Sequence, residues 1–256
     1  MQPLEAETAR LLLETARVAG LMMVAPFPWS RAPERVRALL ALLLAFVAHG
    51  GAAPLPPGID TFSMAVLSVP SEIILGAAMG FVVRLSFSAA EVAGDLLAPM
   101  IGIGTASLFD PQSGAATTPI SRFIQFLAMT AALGAGVHRT VLGALIAGFK
   151  AIPPGFVIDT SLAVPELVRL VSVSLEVALQ VSLPVAAVLF LAQVGLAFLS
   201  RTAPAMQLFS VGFVVTIVGG LVCLFVALPD MGRLLLADAL HIGDRLEVLF
   251  LTILRR

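Results

Sequence analysis

The sequence predicts an all-α membrane protein with about six to eight apolar helices, several of them kinked or broken. Of its 256 residues, 59% are hydrophobic and only 12% are charged, whereas a soluble domain of this size carries about 25% charged residues. The mean hydropathy is +1.04, and long stretches between Arg37 and Pro229 contain no charge that would hold them in water. The net charge of -1 provides no basic field, so nucleic acid is excluded as a partner.

The first element is an amphipathic helix from Leu4 to Ala25. Charged side chains are interspersed there with residues that recur at helical spacing. Acidic residues precede the apolar run and no basic segment does, so this is not a secretory signal peptide. The charged residues are Glu5, Glu7, Arg10, Glu14 and Arg17, and the recurring residues are Leu11, Leu12, Thr15, Val18 and Met22.

Apolar runs of about 20 residues or more predict the membrane spans, because a helix of that length crosses the bilayer core. Three runs carry no charge, and two others contain one charged residue each, Glu72 in the first and Arg139 in the second. The charge-free runs are Ala38 to Ile59, Val177 to Ser200 and Thr202 to Pro229, and the interrupted runs are Phe62 to Val83 and Phe123 to Phe149.

Pro70 and Pro184 each fall inside one of these apolar runs. Proline removes a backbone hydrogen bond and kinks a helix unless neighbouring groups compensate, so we expect breaks near both. Gly76 and Gly80 form a GxxxG pair, which lets helix backbones approach closely. This pair predicts a helix-packing face.

Glu72 is the acid well inside an apolar run, and it admits two interpretations. Ionisable residues within a membrane are costly, which indicates a functional role. Alternatively, Pro70 starts a new helix and Glu72 lies in its favourable first turn or extends to the membrane surface. The second interpretation is favoured, because a proton relay needs a chain of such groups and the sequence offers only this one.

The last element, from Met231 to Leu254, is a second amphipathic helix. Its apolar residues share one broad face and its charged residues lie elsewhere. The apolar face consists of Leu234, Leu235, Ala239, Ile242, Leu246 and Leu249, and the charged residues are Arg233, Asp238, Asp244, Arg245 and Glu247.

The sequence predicts no catalytic residue, metal site or cofactor. The histidines, His49, His138 and His241, are far apart, and none pairs with a second ligand at metal-binding spacing. Cys223 is the single cysteine, which excludes an intrachain disulfide and a thiolate cluster. No serine-hydrolase elbow or phosphate-binding loop occurs, so the chain is not expected to be an enzyme.

The segment GIGTASLFDPQSGAATTP, residues 102–119, connects two apolar regions and is rich in Gly, Ser, Thr and Pro. Polar backbone at membrane depth must be buried in protein or line a cavity. Asp110 and Pro111 start a turn and Gly114 permits a positive φ, so the loop can fold back compactly. The alternative is an ordinary connector outside the membrane.

A second connecting segment, LSRTAPAMQLFSVG at residues 199–212, joins two long charge-free runs. It has too few polar residues to form a domain. It therefore predicts a helical hairpin with Arg201 and Gln207 at the tip.

Three motifs and their order resemble the FliR family, a component of the flagellar type III export gate. The resemblance covers nearly the whole chain. The sequence departs from the family pattern at Ala205, Gln207 and Val214, where the family tends to have Gln, Asn and Pro. The motifs are APFPWSRAPERVRALLALLLAF (Ala25 to Phe46), EIILGAAMGFVVRLSFSAAEVAGDLLAPMIGIGTASLFDP (Glu72 to Pro111) and LSRTAPAMQLFSVGF (Leu199 to Phe213).

The resemblance implies an organisation in three parts: a FliP-like helical part at residues 1–164, a FliQ-like helical hairpin at 165–229 and an amphipathic C-terminal helix at 230–256. It also implies assembly with FliP-like and FliQ-like subunits into a closed helical ring that conducts unfolded export substrates. FlhB-like and FlhA-like export components are further implied partners. The implied location is the bacterial inner membrane, within the flagellar basal body.

The resemblance further implies two sites. Residues 104–119 resemble a plug lying in the channel, and the hairpin tip is implied to contact a partner subunit. The plug residues are Gly104, Leu108, Phe109, Asp110, Pro111, Gly114 and Pro119, and the hairpin residues are Arg201, Pro204, Gln207, Phe209 and Gly212.

Membrane topology has two interpretations. One basic residue, Arg201, lies at the hairpin tip, and five lie on the other side of the two runs, so the positive-inside rule puts the C-terminus in the cytoplasm and the tip outside. Resemblance to FliQ points the tip to the cytoplasm, and we favour it because a subunit packed in a ring need not obey a rule for lipid-spanning helices. The five are Arg169, Arg233, Arg245, Arg255 and Arg256.

Other functions remain open at this point. The same gate position in a virulence-type secretion system is one alternative, since it shares the fold. A small-solute transporter built on proline-broken helices and Glu72 is another, although the internal repeat expected of a transporter is absent from the sequence. An intramembrane enzyme is the third, and the sequence lacks a recognisable nucleophile and base for it.

Overall fold

The computed structural model describes residues 3–26, 32–56, 62–103, 118–156, 160–202 and 208–254. Within these ranges the chain forms eight α-helices and no β-strand, which confirms the predicted all-α class. In chain order the helices are α1 (Pro3–Val24), α2 (Glu34–His49), α3 (Phe62–Ile101), α4 (Pro119–Gly134), α5 (Val137–Ala151), α6 (Thr160–Thr202), α7 (Leu208–Leu240) and α8 (Ile242–Leu254).

Among the described residues, three helical segments are long and apolar enough to cross a membrane. They are Phe62–Ile101, Ala163–Leu199 and Val214–Leu254. A fourth span results if the bent pair of α4 and α5 is counted as one. The membrane class is therefore confirmed, and three of the five predicted spans overlap these segments.

The predicted span from Ala38 to Ile59 is wrong. The helix α2 ends at His49 and has 16 residues, which gives a length of roughly 24 Å at 1.5 Å per residue. The bilayer core is about 30 Å thick. The charge-free run continues beyond His49, but the helix ends there because glycines at 50 and 51 and prolines at 54 and 56 follow.

The expected breaks at Pro70 and Pro184 are also wrong, since α3 and α6 each run through their proline without interruption. Serine hydroxyls supply hydrogen bonds close to both prolines. Ser71 Oγ donates to the carbonyl oxygen of Ser68 at 2.7 Å, and Ser182 Oγ donates to that of Leu179 at 3.3 Å. Neither bond replaces the one that the proline removes, which would run to the carbonyl oxygen four residues before it.

The predicted span from Phe123 to Phe149 is broken into α4, which ends at Gly134, and α5, which begins at Val137. The residue before α5 is Gly136, whose φ is +86°. This left-handed conformation favours glycine. The span was predicted from the positions of charged residues, and this criterion detects Arg139 but not a glycine.

The predicted C-terminal helix is divided at His241, because residues up to Leu240 continue α7 and α8 begins at Ile242. Most of the predicted apolar face is buried, but Leu234 is 44% exposed. The other five residues of that face are buried: Leu235, Ala239, Ile242, Leu246 and Leu249.

The chain divides into two compact units. In unit 1, α1 packs on α2 and α5 packs on α8, where the ring of Phe250 fills the space beside Gly148. In unit 2, an apolar cluster of buried residues joins α3, α4, α6 and α7. Unit 1 comprises Met1–Ser86, Ala135–Ser172 and Leu240–Arg256, and unit 2 comprises Phe87–Gly134 and Val173–Ala239. The three-part organisation at 1–164, 165–229 and 230–256 stays a prediction.

Candidate functional site

The helix α1 forms where the sequence predicts it, but its buried face differs from the predicted one. Leu12, assigned to the apolar face, is 37% exposed. Glu14 and Arg17, assigned to the polar face, are completely buried at 0% exposure. Two ionisable side chains of α1 therefore lie inside unit 1, where burial is tolerated only with suitable partners.

Arg17 is paired with Glu72 of α3. Arg17 Nε donates to Glu72 Oε2 at 2.6 Å and Nη2 donates to Oε1 at 3.1 Å, so the ion pair is bidentate. Both side chains are 1% exposed. The interpretation of Glu72 as a helix-start or surface acid is wrong, because α3 begins at Phe62 and carries this side chain into the interior.

Arg17 also binds the end of α5. Its Nη1 donates to the carbonyl oxygens of Gly148 at 3.3 Å and Ile152 at 2.9 Å, and its Nη2 donates to that of Pro153 at 3.4 Å. The carbonyls of Gly148 and Pro153 also accept backbone N–H groups, from Ile152 and Phe156, and a basic side chain near a helix C-terminus supplies the further donors that such carbonyls can accept. The guanidinium carbon lies 4.6 Å from the centre of the Phe149 ring, within cation–π range.

The turn after α5 completes this arrangement. The backbone N–H of Gly155 donates to Glu72 Oε1 at 2.7 Å, and its φ of +86° is a left-handed conformation that favours glycine. We call Arg17, Glu72, Phe149 and Gly155 the Arg17–Glu72 centre. Both carboxylate oxygens accept hydrogen bonds, so the centre ties α1, α3 and the end of α5 together and presents no free acid.

The glycines of the predicted packing pair lie where α3 meets α1. A Cβ atom built on Gly76 would lie 1.9 Å from the carbonyl oxygen of Arg17, and one on Gly80 would lie 2.7 Å from that of Leu21. From the opposite side, a Cβ on Gly20 would lie 2.3 Å from a backbone oxygen of α3. The two backbones are therefore in direct contact, and this contact brings Arg17 within reach of Glu72.

The predicted plug falls almost entirely outside the described residues, which stop at Ile103 and resume at Thr118. Pro119 is the first residue of α4, a position that suits proline. Thr118 Oγ1 accepts the backbone N–H of Ser121 at 3.3 Å and caps the helix. The plug residues outside the described ranges are Gly104, Leu108, Phe109, Asp110, Pro111 and Gly114.

The helices that border residues 104–117 are tied to each other by a polar cluster in unit 2. Ser121 Oγ of α4 donates to the carboxylate of Asp95 on α3. Thr118 Oγ1 donates to the same oxygen at 3.4 Å. An acidic group at a helix N-terminus is also favoured by the helix dipole.

The predicted hairpin tip is described in part. Arg201 is exposed in the last turn of α6, and Gly212 lies in α7, where an added Cβ would lie 3.9 Å from Leu196 Cδ1 of α6. Pro204 and Gln207 lie outside the described residues, and Phe209 is described only as part of α7. In the described ranges no group of three or more His, Cys, Asp or Glu side chains is placed to hold a metal ion.

Sequence reasoning missed Arg17 and the pairing of Asp95 with Ser121. Arg17 matched a solvent-exposed helix face, and periodicity alone could not reveal its burial. The available signal was the pairing of two observations, a lone acid within an apolar run and a GxxxG motif one turn beyond it, because a close helix contact beside Glu72 brings a neighbouring helix within reach of that carboxylate.

Comparison with known proteins identifies the family to which the chain belongs. The family model described as "Bacterial export proteins, family 1" matches residues 8–240. Flagellar biosynthetic protein FliR of Pectobacterium carotovorum subsp. carotovorum is 30% identical over 217 residues, which are 83% of this chain and 82% of the relative.

Two further relatives carry the same name. Flagellar biosynthetic protein FliR of Escherichia coli strain K12 is 28% identical over 83% of this chain and 82% of its own length. That of Caulobacter vibrioides is 24% identical over 84% of this chain and 87% of its own length. The match includes the helices that build the Arg17–Glu72 centre, and the chain therefore belongs to the FliR family of bacterial export proteins.

Proposed function

We propose that the chain is a subunit of the flagellar type III export gate. It assembles with FliP-like and FliQ-like subunits, in the bacterial inner membrane within the flagellar basal body, into the channel for unfolded export substrates. FlhB-like and FlhA-like components are further partners. The observation that carries this proposal is the family match over residues 8–240, together with relatives named as flagellar biosynthetic proteins over more than four-fifths of the chain.

Exposed apolar surface supports an assembled subunit. Only 22% of the most apolar window of Ala163–Leu199 and 17% of that of Val214–Leu254 is buried within the chain. Lipid or protein must cover the remainder, because contiguous apolar surface of this extent is unfavourable in water. On α6 the exposed side chains include Leu175, Leu179, Leu183, Phe190, Leu191 and Phe198, and on α7 they include Val214, Val218, Val222, Phe225 and Val226.

The assembly is tested by expressing the tagged chain with and without the FliP-like and FliQ-like proteins of the same genome. In mild detergent, native mass spectrometry should find the chain in a hetero-oligomer when the partners are present. Deletion of its gene should abolish export of flagellar proteins, and the full chain should restore it. A chain that never co-purifies with these partners, in cells that it restores to motility, would contradict the proposed composition.

We also propose that residues 104–119 close the channel. Two bulky apolar side chains, Leu108 and Phe109, stand among small residues, and an apolar constriction blocks ions by dewetting. The cluster of Asp95 and Ser121, with Gln125 Nε2 donating to Glu91 Oε2 at 3.1 Å, holds the bordering helices together.

The plug is tested by deleting residues 107–116. The shortened gate should still assemble but let small ions leak, which membrane conductance or sensitivity to a normally excluded small molecule would report. A deletion variant that assembles and stays sealed would instead show that the segment is a connector. A deletion that prevents assembly would also count against the plug, because it assigns the segment to the fold.

A further inference from the structure

His49, the last residue of α2, lies between two carboxylates of α1. Its Nε2 is 2.8 Å from Glu7 Oε2 and its Nδ1 is 2.8 Å from Glu14 Oε2. The two acids differ in environment, since the Glu7 side chain is 62% exposed and that of Glu14 is completely buried. The imidazole therefore connects a carboxylate in solvent with a carboxylate in the interior of unit 1.

A neutral histidine between two ionised carboxylates does not suit this geometry. The three side chains must share one additional proton. A neutral imidazole donates from one nitrogen only, whereas an imidazolium donates from both. With two carboxylates at 2.8 Å, a neutral ring would direct a lone pair at one carboxylate oxygen. The additional proton resides on the ring, which as an imidazolium donates to both carboxylates.

We propose that Glu7, His49 and Glu14 form a proton-binding site that fastens the C-terminal end of α2 to α1. When one proton is taken up through the exposed edge at Glu7, His49 bonds to both carboxylates. When that proton is lost, one of the two carboxylate contacts is released.

Arg10 is the other ionised group of α1 at this site. Its Nε donates to Glu14 Oε1 at 3.1 Å, and its Nη2 donates to the carbonyl oxygens of His49, at 3.0 Å, and Ala52. Arg10 stays charged and retains these bonds when the proton leaves. Loss of the proton should therefore loosen the end of α2 rather than detach it.

Of the other elements packed here, α5 contributes Lys150, whose Cε is 3.4 Å from the position of an added Cβ on Gly51. From α3, Ala65 and Val69 join the apolar cluster around Leu13. These neighbours contribute one further positive charge, on Lys150, while the charge that opposes an imidazolium at His49 is that of Arg10.

The pKa values of His49 and Glu14 are both raised above their ordinary values. The hydrogen bond to Glu14 is the main cause that raises the pKa of His49 above its ordinary 6.5. Burial raises the pKa of Glu14 above its ordinary 4.5, against the opposing effect of His49 and Arg10. A raised pKa in the folded state means that the stabilisation is complete below the ordinary value and is lost as the pH rises through the raised value. For His49 this window begins at about pH 6.5 and extends upward.

The test is amide hydrogen exchange, followed by mass spectrometry on the full chain in membranes with its partner subunits. The backbone N–H groups of Gly51, Ala52 and Ala53 report on the site, because they bond to the carbonyl oxygens of Ala48, His49 and Phe149. After correction for the intrinsic pH dependence of exchange, their protection should fall as the pH rises above about 6.5, the ordinary pKa of histidine. One linked proton limits the fall to about tenfold per pH unit.

Three variants make the result specific. His49→Gln removes titration and should make protection independent of pH. Glu7→Gln, at an exposed position that the fold does not need, should move the midpoint to lower pH. The control is His241→Gln, because His241 has a carboxylate of its own helical turn, Asp244, at 3.2 Å, and its loss should leave the exchange of residues 51–53 unchanged.

Protection that is independent of pH in the native chain would overturn the proposal. So would a native pH dependence that persists in His49→Gln. If that variant fails to accumulate, Glu7→Gln decides, and an unchanged midpoint in it would equally reject the proton-binding site.

Discussion

Replacement of Glu72 by alanine should destabilise unit 1 strongly. The change leaves the Arg17 guanidinium, whose side chain is 1% exposed, without its counter-ion. It also leaves the Gly155 N–H without its acceptor. Breaking a buried ion pair by removing one partner costs about 3–5 kcal/mol. That is a large share of the roughly 5–15 kcal/mol by which a folded domain is stable.

This cost corresponds to a rise of roughly two to three and a half orders of magnitude in the population with α1 undocked, at about 1.4 kcal/mol per factor of ten. The three backbone carbonyls that remain on Arg17 solvate the charge in part and place the effect toward the lower end. The double variant Arg17→Met with Glu72→Leu removes both charges. It should recover part of the loss, since apolar pairs of similar volume often replace buried ion pairs without cost, whereas the Gly155 N–H still lacks its acceptor.

The assay is the thermal stability of the purified gate complex, together with the amount of protein that persists in membranes after synthesis is stopped. The matched control is Asp230→Ala. The Asp230–Arg233 pair has a similar distance of 3.3 Å, but its side chains are 79% and 82% exposed, and such surface pairs contribute little. Two results would refute the reasoning. In the first, Glu72→Ala is as stable as this control. In the second, the double variant loses as much stability as Arg17→Met and Glu72→Leu lose in sum, so that the two side chains do not stabilise each other.

Three other outcomes are expected. Gly76→Ala should prevent close docking of α1, because a Cβ would lie 1.9 Å from the carbonyl oxygen of Arg17, whereas Gly219→Ala, with open space around it, should leave membrane abundance unchanged in an immunoblot. Arg201→Ala should reduce export while abundance stays near normal, because an exposed guanidinium at the hairpin tip is available to a partner's carboxylate or carbonyl; a parallel fall of both would make the residue structural. Expressed without its partners the chain should aggregate or be degraded, since most of α6 and α7 is uncovered, and a monodisperse, protease-resistant monomer in size-exclusion chromatography would contradict this.

The sequence by itself determined the helical membrane class and the positions of the most apolar helices. Both follow from composition, because runs such as Val177 to Ser200 without a charged residue are stable only where water is excluded. The family resemblance also came from local motifs. The sequence also indicated the close contact that α3 makes at Gly76 and Gly80, since a GxxxG pair permits backbone approach wherever a partner helix exists. It did not indicate that α1 is the partner.

Tertiary structure decided which side chains are buried and where helices end. Arg17 and Glu14 follow the periodicity of a solvated face, and only the arrival of α3 and the end of α2 supplies the partners that allow them to be inside. The prolines at 70 and 184 could not be judged from composition either, because whether a proline breaks a helix depends on how the surrounding groups accommodate the lost backbone hydrogen bond. In each case the free energy of burying a polar group is set by its partners in space, and those partners come from segments distant in sequence, such as Arg17 and Ile152.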